Sequence, residues 1–91
     1  MSEPPRWRVQ TTRQVERRLR KLPRDILKRI EAALDGLAYN PRPSGCVKLA
    51  GFENLYRVRV GDWRIVYTIE DDRLLILIIE VEARGGAYRN L

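Results

Sequence analysis

Leu55-Tyr-Arg-Val-Arg-Val-Gly-Asp-Trp-Arg-Ile-Val-Tyr-Thr-Ile-Glu70 decides how this 91-residue chain is read. Its two runs, Leu55 to Val60 and Trp63 to Glu70, are rich in β-branched and aromatic residues and have strand length. Gly61-Asp62 between them is the signal of a two-residue hairpin turn. Such a turn sets the register, with Val60 opposite Trp63, Arg59 opposite Arg64, Val58 opposite Ile65 and Arg57 opposite Val66. Opposed residues share a face. One face therefore carries Tyr56, Val58, Val60, Trp63, Ile65, Tyr67 and Ile69, which is a core. The other carries Arg57, Arg59 and Arg64. Like charges directly opposite one another repel, so a bound anion that relieves the repulsion is one reading of this face. A solvated outer face screened by Glu80 or Glu82 is the other.

Beyond the hairpin, Leu74 to Val81 (LLILIIEV) forms a third strand-like run, separated from the second by Asp71-Asp72. Its first six residues contain no polar side chain. A strand open to water on one side should alternate, so this one is either central in the sheet or covered on its outer face by something else.

Upstream the period changes. Val15, Leu19 and Leu22 recur at i, i+4 and i+7, and Ile26, Ile30, Ala33, Leu34 and Leu37 continue at the helical period. Thr11 and Thr12 offer an N-cap, and Pro23 ends the first helix and opens the second. Residues 12–37 thus read as a hairpin of two amphipathic helices. Trp7 to Thr11 alternates as a first strand, and residues 1–5, with Pro4 and Pro5, read as a disordered tail. Asn40 to Gly45 is a loop by composition, continued by Lys48 to Asn54. The order is β-α-α-β-β-β: a single α+β domain over 1–91, with the helical hairpin packed on a mainly antiparallel sheet.

Composition narrows the chemistry. Eighteen Lys and Arg against twelve Asp and Glu give +6, and only Lys21, Lys28 and Lys48 are lysines, leaving fifteen arginines. A small body with this charge attracts polyanions, nucleic acid first. Guanidinium grips phosphate in a bidentate way that ammonium does not, although an Arg-biased composition also follows from GC-rich coding. There is no histidine, which excludes an imidazole base and a His-built zinc site. The lone Cys46 excludes an intramolecular disulfide and a thiolate-ligated metal. No metal and no cofactor are expected. The longest apolar run is far short of the roughly 20 residues of a membrane helix, the N-terminus lacks an apolar signal core, and a cytoplasmic location follows.

In their order along the chain, these segments resemble the RelE/ParE superfamily of toxins from toxin–antitoxin modules. The resemblance rests on Leu19-Arg-Lys-Leu-Pro23, Tyr39-Asn-Pro-Arg-Pro43, Lys48-Leu-Ala-Gly51, Leu55 to Tyr67, Ile79-Glu-Val-Glu-Ala-Arg84 and Tyr88-Arg89. It implies a RelE-like fold and a metal-independent, ribosome-dependent endoribonuclease that cuts mRNA and inhibits translation. In that reaction the RNA's own 2′-OH attacks the adjacent phosphate. By resemblance Arg57 and Arg59 hold RNA phosphates, and Arg59 also assists proton transfer. Arg64 binds the scissile phosphate, Arg84 steadies charge in the transition state, and Tyr88 is the base and a stacking surface. Lys48 and Arg89 complete the phosphate-binding set.

The expected partners are an antitoxin, RelB-like or other, the ribosome and mRNA, and operator DNA only through the antitoxin complex. No membrane partner is expected. The pattern departs from many relatives, which end the last strand with Val-Gly-His-Arg where this chain has Val81-Glu82-Ala83-Arg84. The departure removes a His and sets Glu82 beside a phosphate site. Two alternatives follow: a ParE-like toxin that inhibits gyrase without nuclease activity, and a catalytically weakened toxin.

Overall fold

The computed structural model describes residues 6–83. The disordered tail expected over residues 1–5 lies outside them, as do Arg84, Tyr88 and Arg89. Strand β1 (Arg8–Thr11) leads into α1 (Arg13–Arg20) and α2 (Arg24–Tyr39). After a loop come β2 (Val47–Lys48), β3 (Leu55–Val60), β4 (Trp63–Glu70), a 3-10 turn at Asp71–Arg73, and β5 (Leu75–Ala83). Among the described residues these strands form one five-stranded sheet in the order β1-β5-β4-β3-β2. Every neighbouring pair is antiparallel except β1 with β5.

The order read from the sequence holds, with one addition and a few shifted ends. The segment read as loop from Lys48 onward begins with a two-residue edge strand, Val47–Lys48, paired with Tyr56 and Arg57. The last strand starts at Leu75 rather than Leu74, because Leu74 turns left-handed (φ 50) to leave the 3-10 turn. Pro23 flanks α2 rather than opening it. Of the two readings of the last strand, the central one is correct, since β5 is flanked by β1 and β4.

Local chemistry accounts for the helix ends. The Val15 N–H donates to Thr12 Oγ1 at 3.2 Å, satisfying one of the orphan donors of the first turn of α1. Pro23, at ψ 149, breaks the helical path between α1 and α2. The helices cover one face of the sheet: α1 lies against β5, and α2 against β1 and β3. Between the layers sit Val15, Ile30, Leu34 and Leu37 from the helices, with Val58, Trp63, Ile65, Tyr67, Ile69, Ile76, Ile78 and Val81 from the strands. Of the hairpin's seven predicted core residues, five are buried, and Tyr56 and Val60 pack partly buried against them.

A second tie holds the loop that precedes β2. The buried Tyr67 hydroxyl donates to the Pro41 carbonyl at 2.8 Å, and Cys46 Sγ lies 3.3 Å from the same oxygen. Burial pushes the Tyr67 phenol well above its usual pKa, so it stays a donor. The neighbouring Arg42 guanidinium lies over the Tyr56 ring at 5.2 Å and pairs with Asp71 at 3.2 Å. The loop is thereby pinned to the side of the sheet where β2 must pair.

Candidate functional site

The hairpin turn positions the site. Gly61 sits at φ 61 and Asp62 at negative φ, the sign pattern of a type II′ turn, which favours glycine at its first central position. A Cβ at Gly61 would also meet Arg29 Nη2 of α2 at 2.6 Å. The tight turn gives the register expected: Val60 with Trp63, Arg59 with Arg64, Val58 with Ile65, Arg57 with Val66. Arg57, Arg59 and Arg64 therefore share the face turned away from the helices. Neither Arg57 nor Arg59 forms an ion pair among the described residues.

The third guanidinium is different. Arg64 is opposed on one side by Arg59 and on the other by Glu82 of β5. Its Nη2 forms an ion pair with Glu82 Oε1 at 3.0 Å, with about a third of each side chain exposed (32% and 28%). Arg64 Nε is buried without a hydrogen-bond partner among the described residues. Because side chains alternate along a strand, the face shows two rows across the sheet. One runs Val47, Arg57, Val66, Glu80, and the other runs Arg59, Arg64, Glu82. Cations occupy β3, carboxylates occupy β5, and Arg64 stands between them.

A break in the β4–β5 ladder creates this arrangement. Glu70 pairs with Leu75 and Tyr67 with Ile78, but Val66 pairs with Glu80, so Ile79 is an extra residue in β5. Before the bulge, Ile76 and Ile78 face the core. After it, Val81 and Ala83 do, and Glu80 and Glu82 come out on the arginine face. The sequence left open whether Glu80 or Glu82 screens the arginines. Glu82 does so at Arg64.

Lys48 does not join the cluster. Its register partner is Tyr56, so it stands on the helix side of the edge strand, while its neighbour Val47 shares the face of Arg57. Arg84, Tyr88 and Arg89 fall outside the described residues. Of the residues singled out from the sequence, the structure thus brings together Arg57, Arg59 and Arg64. It adds the Glu82 contact, which a short-turn register argument does not reach, because β4 and β5 are joined through a 3-10 turn and a left-handed Leu74.

Chemically, two arginines without a carboxylate partner among the described residues, and a third paired with Glu82 through one arm, make a surface suited to a chain of phosphates, whose spaced charges need spaced cations. Among the described residues no group of three His, Cys, Asp or Glu could hold a metal ion, and no helix is long and apolar enough to cross a membrane.

Comparison with known proteins agrees over nearly the whole chain. Residues 9–88 match the family described as ParE toxin of type II toxin–antitoxin system, parDE. The toxin RelE of Mycobacterium tuberculosis is 32% identical over 90 residues, covering 98% of this chain and 93% of that one. In the crystal structure of the archaeal RelE-RelB complex from Pyrococcus horikoshii OT3, a chain 33% identical superposes with a TM-score of 0.80, over 90% of this chain and 99% of its own length. The isolated E. coli RelE toxin shares the fold, with a TM-score of 0.77 at 19% identity over 91% of this chain and 89% of that one.

Proposed function

This chain belongs to the RelE/ParE superfamily of toxins from type II toxin–antitoxin modules, and from that premise we propose that it stops translation by cutting mRNA on the ribosome. The observation that carries this reading is the face of Arg57, Arg59 and Arg64, where like charges are held opposite one another with no carboxylate on β3 or β4 between them. Such an arrangement costs stability in the free protein. It is compensated when phosphates lie across it.

In the proposed reaction the substrate supplies the nucleophile. The ribose 2′-OH attacks the adjacent phosphorus, the bond to the 5′-oxygen breaks with that oxygen taking a proton from water to leave as a 5′-OH, and a 2′,3′-cyclic phosphate is left on the upstream fragment. Arg57 and Arg59 hold the flanking phosphates. Arg64, with Arg84, stabilises the extra negative charge that develops on the phosphorane, in the manner of an oxyanion site. Arginine keeps its proton at any ordinary pH, so Arg59 acts by charge. Tyr88 is left to accept the 2′-OH proton as the general base. Arg89 serves as an outlying phosphate contact.

Partners follow from the same reading. An antitoxin of the RelB kind, named in the complex from Pyrococcus horikoshii OT3, would hold the toxin inactive in the cytoplasm and connect it to operator DNA. A second reading, ParE-like inhibition of gyrase, is favoured by one observation: the family match over residues 9–88 is to the ParE toxins. Both readings use the same fold, and they differ in target.

The test is expression of Arg64→Ala, Arg84→Ala and Tyr88→Phe against wild type, reading growth arrest together with mRNA termini in a translating extract. Loss of one oxyanion-type donor slows such chemistry by about 10²–10³-fold, so cleavage should fall by at least about 10²-fold in Arg64→Ala. Full toxicity of all three variants with intact mRNA would overturn the nuclease reading. Gyrase-dependent DNA breaks in the same cells would establish the second.

A further inference from the structure

We infer that Glu82 is an internal competitor for the phosphate-binding arm of Arg64, a gate that the RNA backbone must displace, so that this residue sets how tightly the toxin holds its substrate. The inference rests on the proposed reading of the arginine face as the RNA site and says how that site is regulated. Three observations carry it.

The first is contact. Glu82 Oε1 lies 3.0 Å from Arg64 Nη2 as an ion pair, so it occupies space that a phosphate oxygen would need in order to bond the same arm. The second is register. Glu82 lies directly across from Arg64 in the β4–β5 ladder, so the carboxylate is held there by the backbone and does not arrive by chance from a long surface side chain. The bulge at Ile79 produces this alignment. Continuing the Glu70–Leu75 register without the extra residue would set Val81 opposite Arg64 and turn Glu82 to the other face.

The third observation is what the pair leaves undone. Only one arm of the Arg64 guanidinium is engaged, and its Nε is buried with no hydrogen-bond partner among the described residues. A carboxylate committed to structure would be expected to satisfy more of the fork, as bidentate pairs do. Glu82 neutralises Arg64 while leaving the guanidinium incompletely bonded. That is the behaviour of a displaceable occupant.

The consequence is arithmetic. In the free toxin Arg64 is already paired, so the gain on binding a phosphate is the phosphate contact less the lost carboxylate contact. Ion pairs that are about a third exposed are individually modest, and removing the competitor should tighten RNA binding by about two- to fivefold. It should also steepen the salt dependence. Each phosphate neutralised on a single strand contributes roughly 0.7 to the slope of log affinity against log salt. A released Glu82 takes up cations again and cancels part of that term.

The experiment titrates full-length toxin with a fully 2′-O-methylated single-stranded RNA, which binds but offers no 2′-OH to react, over a series of salt concentrations. Glu82→Gln and Glu82→Ala are compared with wild type and with Glu70→Gln, which removes the same charge from the same face at the far end of β4. The expected result is tighter binding and a steeper salt slope for both Glu82 variants, with no comparable change for Glu70→Gln. In an Arg64→Gln background, Glu82→Gln should then add nothing beyond Glu70→Gln. Thermal unfolding of each variant checks that it is folded.

If the Glu82 variants bind no more tightly than Glu70→Gln, or if the gain survives in Arg64→Gln, the gate is refuted while the RNA site stands. If Arg57→Gln and Arg64→Gln bind RNA as wild type does, the site itself is refuted and the gate falls with it.

Discussion

Replacing Arg59 by Gln should make the protein more stable and less able to bind RNA. Arg59 is exposed and stands directly opposite Arg64 on the outer face of the β3–β4 hairpin. Two unit charges about 6 Å apart at water's dielectric repel by about 0.7 kcal/mol. Measured penalties for like charges opposed across strands fall in the range of about 0.2–1 kcal/mol. Glu82 draws part of the Arg64 charge toward β5, so a value near 0.5 kcal/mol is reasonable. For a domain of this size that corresponds to a rise in Tm of about 2–4 °C at low ionic strength. At about 1 M salt the screening length shrinks to about 3 Å, and the gain should vanish. Arg59→Lys keeps the charge and should show neither effect. Thermal unfolding by circular dichroism at both salt concentrations, with RNA binding measured on the same samples, gives the answer. A stability gain equal at low and high salt would mean that backbone propensity is responsible, and no gain at all would mean that the guanidinia do not repel. Either result would remove the physical argument for a ligand on this face.

Two further substitutions test the framework around the site. Tyr67→Phe removes the hydroxyl that donates to the Pro41 carbonyl and leaves a buried acceptor unpaired, which costs about 1–3 kcal/mol and should lower Tm by at least about 4 °C. The same residue should tilt the alkaline limb of the stability curve. Burial holds its phenol protonated above the ordinary range near 10, so above that pH the unfolded chain releases a proton that the folded chain retains. Wild-type stability then falls as pH rises, and Tyr67→Phe should flatten that fall in equilibrium unfolding measured from pH 9 to 11. Gly61→Ala forces a Cβ into left-handed backbone and against Arg29 Nη2, with an expected loss of about 1–2 kcal/mol. In an Arg29→Ala background only the backbone share of that loss should remain, as a double-mutant cycle would show.

The legible parts of this protein are those set by short-range rules. Gly61-Asp62 closes the β3–β4 hairpin so tightly that register and the shared face of Arg57, Arg59 and Arg64 follow from counting. The helical hairpin follows from two apolar stripes and Pro23. Strand β2 escaped because two residues carry no period. Its pairing depends on a loop tied down by Tyr67 and Arg42, side chains distant in sequence. For the same reason Lys48 looked like one more phosphate ligand until its partner, Tyr56, put it on the helix side.

The harder part is β5, where the extra residue Ile79 reverses the facing of every residue after it. The doubled isoleucine, Ile78-Ile79, is the one trace of the bulge in the sequence, and it reads as well as a strand buried on both faces. Yet the charge pattern depends on it. With strict alternation continued from Ile76 and Ile78, Glu80 and Glu82 would be turned beneath the helices, where unpaired carboxylates cost several kcal/mol each. One extra residue in β5 keeps the core apolar and delivers two carboxylates to a face of arginines. The same backbone irregularity that lets the fold form thus also determines how much positive charge the site presents.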